Sequence, residues 1–497
     1  MRASLITRGL ACAVPLALLL YDLWLHQPFY VDDAFISLRY ADRFLHGHGL
    51  TWNDGEAVEG YSNFLWVLLV SALGFFGTDL VLATKILGLA CTLGAFATIA
   101  HYARALPAYI TFLGLSVFST SASVAIWSMS GMETPLVMLL LAWAVIMLLP
   151  LLSAYDGKRT VRVGILLGLL CWARPEGAMF TICFAAGLLL FSRVGFAARL
   201  KMLVILCAIP LGFFCAQLAF RLYYYHEWTA NSALAKLSFS RYHTYAGLDY
   251  ARDALISFLP VIAYILLNLR LARDTWRPNG LLLLIIAVLT TAIIFTGGDI
   301  FSNGYRFFVP LVPLIALLFM HGARAGFAAA GWLKESVLLC VVGISQLALQ
   351  LYYPPHLDTG IHGLTQAWVE MGKALEKRFG PYQPLVATPA AGAIPYYSKL
   401  PSIDAFGLND AYLTGHRFDE KMHFGSKMIG HELFDPDYIK MRRPDILMFD
   451  TPGLPTFCEQ TDCHDLLNDY RVEELAMPQF KARIWVRKDS TRLGATN

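Results

Sequence analysis

Long apolar runs alternate with compact polar strings over the first two thirds of the chain. The runs lie near 10–26, 63–100, 108–127, 135–153, 161–173, 176–192, 202–222, 255–270, 280–296, 306–321 and 332–352. Since a bilayer crossing takes about 20 apolar residues, they predict a polytopic α-helical membrane protein with about eleven transmembrane helices. That count requires 63–100 to cross once, its first part lying along or dipping into the interface. Beyond 353 the apolar runs shorten, and β-like pieces such as PLVATP, PDILMF and ARIWVRK alternate with a helical stretch near 363–379. The pattern therefore predicts a transmembrane domain over 1–353 and a soluble α/β domain over 354–497, long enough for its own core.

Basic residues orient the crossings, because they gather in cytoplasmic loops. They recur at alternate connections: His101–Arg104; Lys158, Arg159 and Arg162; Arg193, Arg199 and Lys201; Arg270, Arg273 and Arg277; and Arg324. The first run follows Arg2 and Arg8 without a small-residue cleavage site, and reads as a first crossing with a cytoplasmic N-terminus. This parity puts the soluble domain outside the cytoplasm. It also places five polar strings on the outer side: DDAF with its long loop, SMSGMETP, ARPEG, YYYHEWTANSALAK and TGGDIFSNGYRF. Asp, Glu, Arg, His, Asn and Gly on five loops of one face suggest a site assembled at one membrane surface. The opposite face reads as ordinary basic loops.

Composition agrees with the membrane class. The chain is 57% hydrophobic and 15% charged, with a mean hydropathy of +0.53, whereas soluble domains are roughly 25% charged. A net charge of +3 with scattered basic residues argues against nucleic acid as a partner. Seven of the nine cysteines lie in or beside apolar runs. Cys458 and Cys463 fall in the soluble part, as a small disulfide loop or as two free thiols; with His464 they make only a weak zinc motif.

Each outer string has a plain structural reading beside a chemical one. Asp32 and Asp33 can cap an amphipathic helix carrying Phe35, Leu38, Tyr40 and Phe44, but one aspartate suffices for a cap. Glu59, Tyr61 and Asn63 precede a re-entry into lipid, beside the turn formers Gly60 and Ser62. Glu133 can be a first-turn acid next to Pro135. Arg174 and Glu176 flank Pro175 and can pair with each other. Asp299 and Arg306 bracket a glycine-rich loop that admits a ligand close to the backbone, and Arg suits bidentate phosphate contact. Lys85 can snorkel to the interface or hold an anionic head group.

The ordered set DDAFISLRYADRFLHGHGLTWN, VEGYSNFLW, GMETPL, ARPEG, GGD with GYRFFVPLVP, and IDAFGLND resembles the bacterial membrane arabinofuranosyltransferases of the GT-C superfamily. Among these are the mycobacterial terminal β-(1→2)-arabinofuranosyltransferases and the pilin-glycosylating enzymes. The resemblance covers most of 28–136, scattered loops to about 310, and a block near 386–435; the motif set is specific for the family and less so for the sugar. It implies a GT-C fold in the bacterial inner (plasma) membrane, with the active site and C-terminal domain periplasmic. It further implies inverting transfer of a sugar, D-arabinofuranose, from a polyprenyl-phosphate donor to a glycan or protein acceptor.

In such enzymes an acid of the first outer loop is the catalytic base, which maps onto Asp33 or Asp32, with Asp33 the first choice. Arg306, Arg174, Lys85 and Lys236 are the candidates for the donor phosphate. Glu59, Tyr61, Asn63, Glu133, Asp299, His226 and His431 are candidates for substrate contact, and His423, Lys427 and Glu432 accompany His431. A divalent cation is left open, since a DD pair supplies too few ligands to require one. The alternative is a transporter or flippase of a lipid-linked sugar. Transporters place ionisable groups near the midplane and often carry inverted repeats, and no duplicated motif occurs here.

Overall fold

The computed structural model describes residues 2–236, 240–299, 304–352, 359–416, 433–449, 451 and 464–494. His423, Lys427, His431, Glu432, Cys458 and Cys463 lie outside the described residues. The chain divides into two compact units, each drawn from three stretches. The first comprises 1–29, 84–217 and 239–357; the second comprises 30–83, 218–238 and 358–497. The expected boundary near 353 thus marks the start of only one of the second unit's stretches.

The helices up to 352 are α1 (Arg2–Leu25), α2 (Asp32–Leu45), α3 (Phe64–Phe75), α4 (Leu80–Ala103), α5 (Ala108–Ser119), α6 (Ala122–Met129), α7 (Thr134–Leu148), α8 (Gly157–Ala173), α9 (Gly177–Phe191), α10 (Phe196–Tyr224), α11 (Asn231–Lys236), α12 (Arg241–Ser257), α13 (Leu259–Leu269), α14 (Trp276–Thr296), α15 (Val312–Ala330) and α16 (Trp332–Tyr352). Seven helices among the described residues are long and apolar enough to cross a membrane, or up to nine if two bent pairs each count as one span. The chain is therefore a multi-pass membrane protein with fewer spans than expected. The shortfall has a geometric cause. Of the eleven expected runs, 161–173 and 176–192 form α8 and α9, of 17 and 15 residues, about 26 and 22 Å at 1.5 Å per residue, short of a hydrocarbon core of about 30 Å. The pairs α5–α6 and α12–α13 bend by 52° and 77°.

Within the first unit α15 is central: the apolar window of its span is 89% buried, against 11% for α16. Leu314, Leu317 and Leu318 fill its surroundings, whereas Val337, Val341 and Ile344 of α16 are exposed, as lipid-facing residues are.

The second unit contains a mixed five-stranded sheet of order β2-β1-β3-β5-β4. Its strands are β1 (Val386–Thr388), β2 (Ser402–Asp404), β3 (Ile446–Leu447), β4 (Tyr470–Ala476) and β5 (Lys481–Arg487). β1 pairs in parallel with β2 and β3, and β5 pairs antiparallel with β3 and β4. The three pieces expected as strands are β1, β3 and β5. The helix expected near 363–379 is α17 (Thr359–Phe379), and α18 (Ala393–Ser398) makes the crossover from β1 to β2. Alternation buries Ala482, Ile484 and Val486 of β5, beside a core that includes Phe406, Phe434 and Phe449.

The first polar loop is built into this unit. Tyr40 of α2 donates its hydroxyl to Val58 O (2.8 Å) and receives Gly60 N–H (2.9 Å). A Cβ at Gly60 would come within 1.7 Å of Asn409 Oδ1 and 2.8 Å of Tyr40 Oη. Gly60→Ala is therefore expected to destabilise the protein by about 1–3 kcal/mol, read as a lower unfolding midpoint and faster proteolysis of the C-terminal segment. An unchanged midpoint would contradict this packing.

Candidate active site

Asp32 and Asp33 open α2, but neither side chain caps it; the N-cap is Val31, with no side-chain cap bond. Asp32 caps another helix. Its oxygens accept Gly392 N–H (3.0 Å) and Ala393 N–H (2.7 Å) at the start of α18, satisfying donors a helix N-terminus leaves open. Two turns along α2, on the same side, the buried Arg39 donates to the carbonyls of Pro395 and Leu400, the latter at 3.0 Å. It also bonds Trp52 O (3.1 Å) and stacks over the Trp52 ring at 4.6 Å. Asn53 closes the grip by accepting Ser402 N–H (3.0 Å) and donating to Ser402 O (2.9 Å) at the start of β2.

Asp33 is turned elsewhere. Its side chain is 12% exposed and lies 3.5 Å from Lys236 Nζ, itself 41% exposed at the end of α11. The helix α11 is anchored by Asn231, whose amide donates to Gly407 O (2.8 Å) and Leu408 O (2.9 Å) and whose own N–H reaches Glu59 O (2.9 Å). The IDAFGLND string thus serves as a hub. Asp404 accepts the N–H groups of Phe406 (3.0 Å) and Asn409 (2.9 Å) and the Asn409 amide (2.9 Å), and Tyr40 reaches Asn409 Oδ1 at 3.2 Å.

Other second-unit candidates form internal braces. Glu59 is ion-paired with Arg221, Tyr61 shares a 3.0 Å hydroxyl contact with Tyr225, and Asn63 bonds Ser37 Oγ at 3.0 Å. His226 is exposed, with φ 59°. Burial pushes the Asp32 carboxyl up to about 7, against the Ala393 N–H and with the neighbouring Asp33 charge. Burial likewise raises Asp404 to about 6, opposed by the Asn409 side chain.

The remaining candidates lie in the first unit. Arg174 binds Glu176 with both fork nitrogens (3.0 and 2.8 Å) and Glu133 through Nη1 (2.5 Å). Pro135 is the second residue of α7, after Thr134, and Glu133 is the N-cap residue. Arg306 is buried against Asp299, at 2.9 Å from Oδ2 and 3.0 Å from Oδ1. Phe307 lies beneath both guanidinium groups, 5.4 Å from Arg174 and 4.9 Å from Arg306, and Trp127 is 5.3 Å from Arg306. The left-handed Gly297 and Gly298 (φ 92° and 75°) turn the chain into Asp299, and a Cβ at Gly298 would meet Tyr250 at 2.7 Å. Lys85 donates to the carbonyls of Gln27 and Phe29, the latter at 2.8 Å, just past the end of α1.

Arg39, Asn231, Asp404, Asn409 and Arg221 carry the second unit's architecture without being candidates from the sequence. The available signal was an arginine on the buried side of an amphipathic helix, two turns from a candidate acid. Among the described residues no group of three or more His, Cys, Asp or Glu is placed to hold a metal ion. The DD pair does not fit a divalent cation: both Asp32 oxygens hold backbone N–H groups, and Asp33 faces an ammonium.

The fold is of the GT-C type. Over 98% of its length and 99% of the other's, the chain superposes on the crystal structures of ArnT from Cupriavidus metallidurans, with TM-scores of 0.58 for the apo state and 0.61 for the form bound to undecaprenyl phosphate. Sequence identity is 12% in both, so what is shared is the fold. Residues 359–491 match the model of a domain of unknown function, DUF8728. No curated protein matches the sequence significantly.

Two outcomes follow from this geometry. Asp299→Asn removes the carboxylate ion-paired with the buried Arg306, and is expected to cost roughly 3–5 kcal/mol of stability, read by thermal unfolding in detergent. The folded Asp32 binds its proton more tightly than an unfolded aspartate at 3.8, so its contribution is full at low pH and is lost as pH rises from about 4 to about 7. Wild type should therefore unfold more easily above that window than below it. Asp32→Asn should flatten the slope, leaving the smaller share from Asp404; an unaltered slope would refute the assignment.

Proposed function

We propose that the protein is an inverting membrane glycosyltransferase that moves a sugar, D-arabinofuranose, from a polyprenyl-phosphate donor to a glycan or protein acceptor. We place it in the bacterial inner membrane, acting at the periplasmic face. The observation that carries the reading is the division of labour between the paired aspartates. Asp32 is committed to the backbone of α18, whereas Asp33 stands beside a half-exposed lysine. The end-to-end fold match to ArnT, a protein solved with undecaprenyl phosphate, supports a lipid-phosphate donor.

In this reading Asp33 is the general base. It takes the proton from the acceptor hydroxyl as that oxygen attacks the anomeric carbon. The new carbon–oxygen bond forms on the side opposite the phosphate, the old one breaks, and its electron pair leaves on the polyprenyl phosphate. One displacement inverts the anomeric centre. The leaving group gains charge, which a lysine or arginine must meet. Lys236 is the first choice among second-unit residues. In the first unit Arg306 and Arg174 keep the proposed phosphate role, and each must then exchange part of its carboxylate pairing for phosphate. Lys85, already donating to two carbonyls, is the weakest of the four.

The test is transfer from a synthetic polyprenyl-phosphate sugar to acceptor in membranes carrying single variants. Asp33→Asn should lower the rate roughly 100-fold or more with the unfolding midpoint preserved. Lys236→Gln should weaken use of the donor, read as a higher KM for the polyprenyl-phosphate sugar. Full activity in Asp33→Asn would end the catalytic assignment, and mass analysis of the product decides the sugar and the acceptor.

A further inference from the structure

The turn from α9 to α10 is more than an ordinary basic loop. Three arginines from separate positions converge on it within the first unit. Arg277, in the first turn of α14, donates Nη1 to Phe191 O (3.3 Å). Arg199, in the first turn of α10, donates Nη2 to Ser192 O (3.2 Å) and Val194 O (3.0 Å). Arg193 sits between these carbonyls, its N–H on Leu152 O (2.7 Å) and its side chain exposed. The charges of Arg193 and Arg199 both act on Arg277.

A plain C-capping role accounts for part of this, since cationic side chains near a helix C-terminus satisfy its last carbonyls. It leaves two things over. The Nε–H groups of Arg199 and Arg277 are buried with no hydrogen-bond partner, and a buried donor left open is costly. Moreover, among the described residues none of the three arginines has a carboxylate within ion-pair distance, although Arg159, Arg174, Arg306 and Arg324 of the same unit all do. Three like charges gathered without a counter-ion repel one another, and an anion offsets that repulsion.

The surroundings identify the anion's source. Leu190 and Phe196 are 64% and 79% exposed, and the half-exposed Trp276 carries the Arg277 guanidinium 5.0 Å over its ring. Apolar and aromatic side chains beside a basic cluster match the head-group level of a bilayer, where anionic lipids attract Lys and Arg. We propose that the α9–α10 turn, with the first turn of α14, binds the phosphate of an anionic membrane phospholipid, its acyl chains lying along the exposed apolar surface. The site does not depend on the transferase reading.

Purified protein in detergent is mixed with phosphatidylglycerol, phosphatidylcholine or inorganic phosphate. Bound lipid is read by native mass spectrometry, and the unfolding midpoint is measured in parallel. Wild type should retain phosphatidylglycerol over phosphatidylcholine and gain thermal stability from it. Arg199→Gln and Arg277→Gln should each lower retention roughly fivefold, about 1 kcal/mol per arginine at a membrane surface. If either fails to fold, Arg193→Gln decides, since its side chain bonds nothing among the described residues; it should fold normally and lose retention to a similar degree. Undiminished retention in Arg193→Gln overturns the proposal. An equal thermal gain from inorganic phosphate also overturns it, because the site would then serve a soluble anion.

Discussion

The grip of α2 on the segment from 392 to 402 is the contact on which the second unit depends. Asp32 holds the N–H end of α18, Arg39 holds carbonyls at and beyond its other end, and Asn53 fixes the first residue of β2. A six-residue helix has little stability of its own, because nucleation is costly and few bonds repay it. Its persistence here rests on charged side chains completing both ends. The cost falls on Asp32, a carboxylate removed from water beside a second one. The two N–H bonds offset that cost only in part, and the carboxyl stays well above the usual aspartate range.

A second constraint concerns charge in and near the membrane. An isolated buried guanidinium is too costly to keep, so Arg306 and Arg174 carry carboxylates, and aromatic rings cover the faces of both. Pairing keeps the fold intact but blunts these arginines as ligands, since any phosphate must compete with a partner already seated. Lys236 differs: at 3.5 Å from Asp33 and nearly half exposed, it can turn toward an incoming group at small cost.

Much of the architecture was legible because membrane helices announce themselves by length and hydropathy. The strands PLVATP, PDILMF and ARIWVRK could be read from composition as well. Span count was harder, because a run of apolar residues does not reveal a bend, and 108–127 and 255–270 both conceal parts of bent pairs. At the site, the sequence identifies acids and cations but not which one spends its valence on backbone. Asp32 and Asp33 are identical as letters, yet one accepts two N–H groups from residues some 360 positions away and the other faces a lysine. Arg39 is illegible for the same reason: its main partners are carbonyls, which every residue carries.

That separation along the chain bears on how the protein is made. The helix α2 emerges early, while the N–H groups that receive Asp32 belong to residues 392 and 393, made some 360 residues later. Until then the segment after α1 carries its two aspartates without the element that distinguishes them. A ribosome that stalls between residues 352 and 392 leaves helices α1 to α16 made and α2 without its anchor, a product open to proteolysis at that loop. Synthesis of residues 392 and 393 is thereby the event that locks the loop in place.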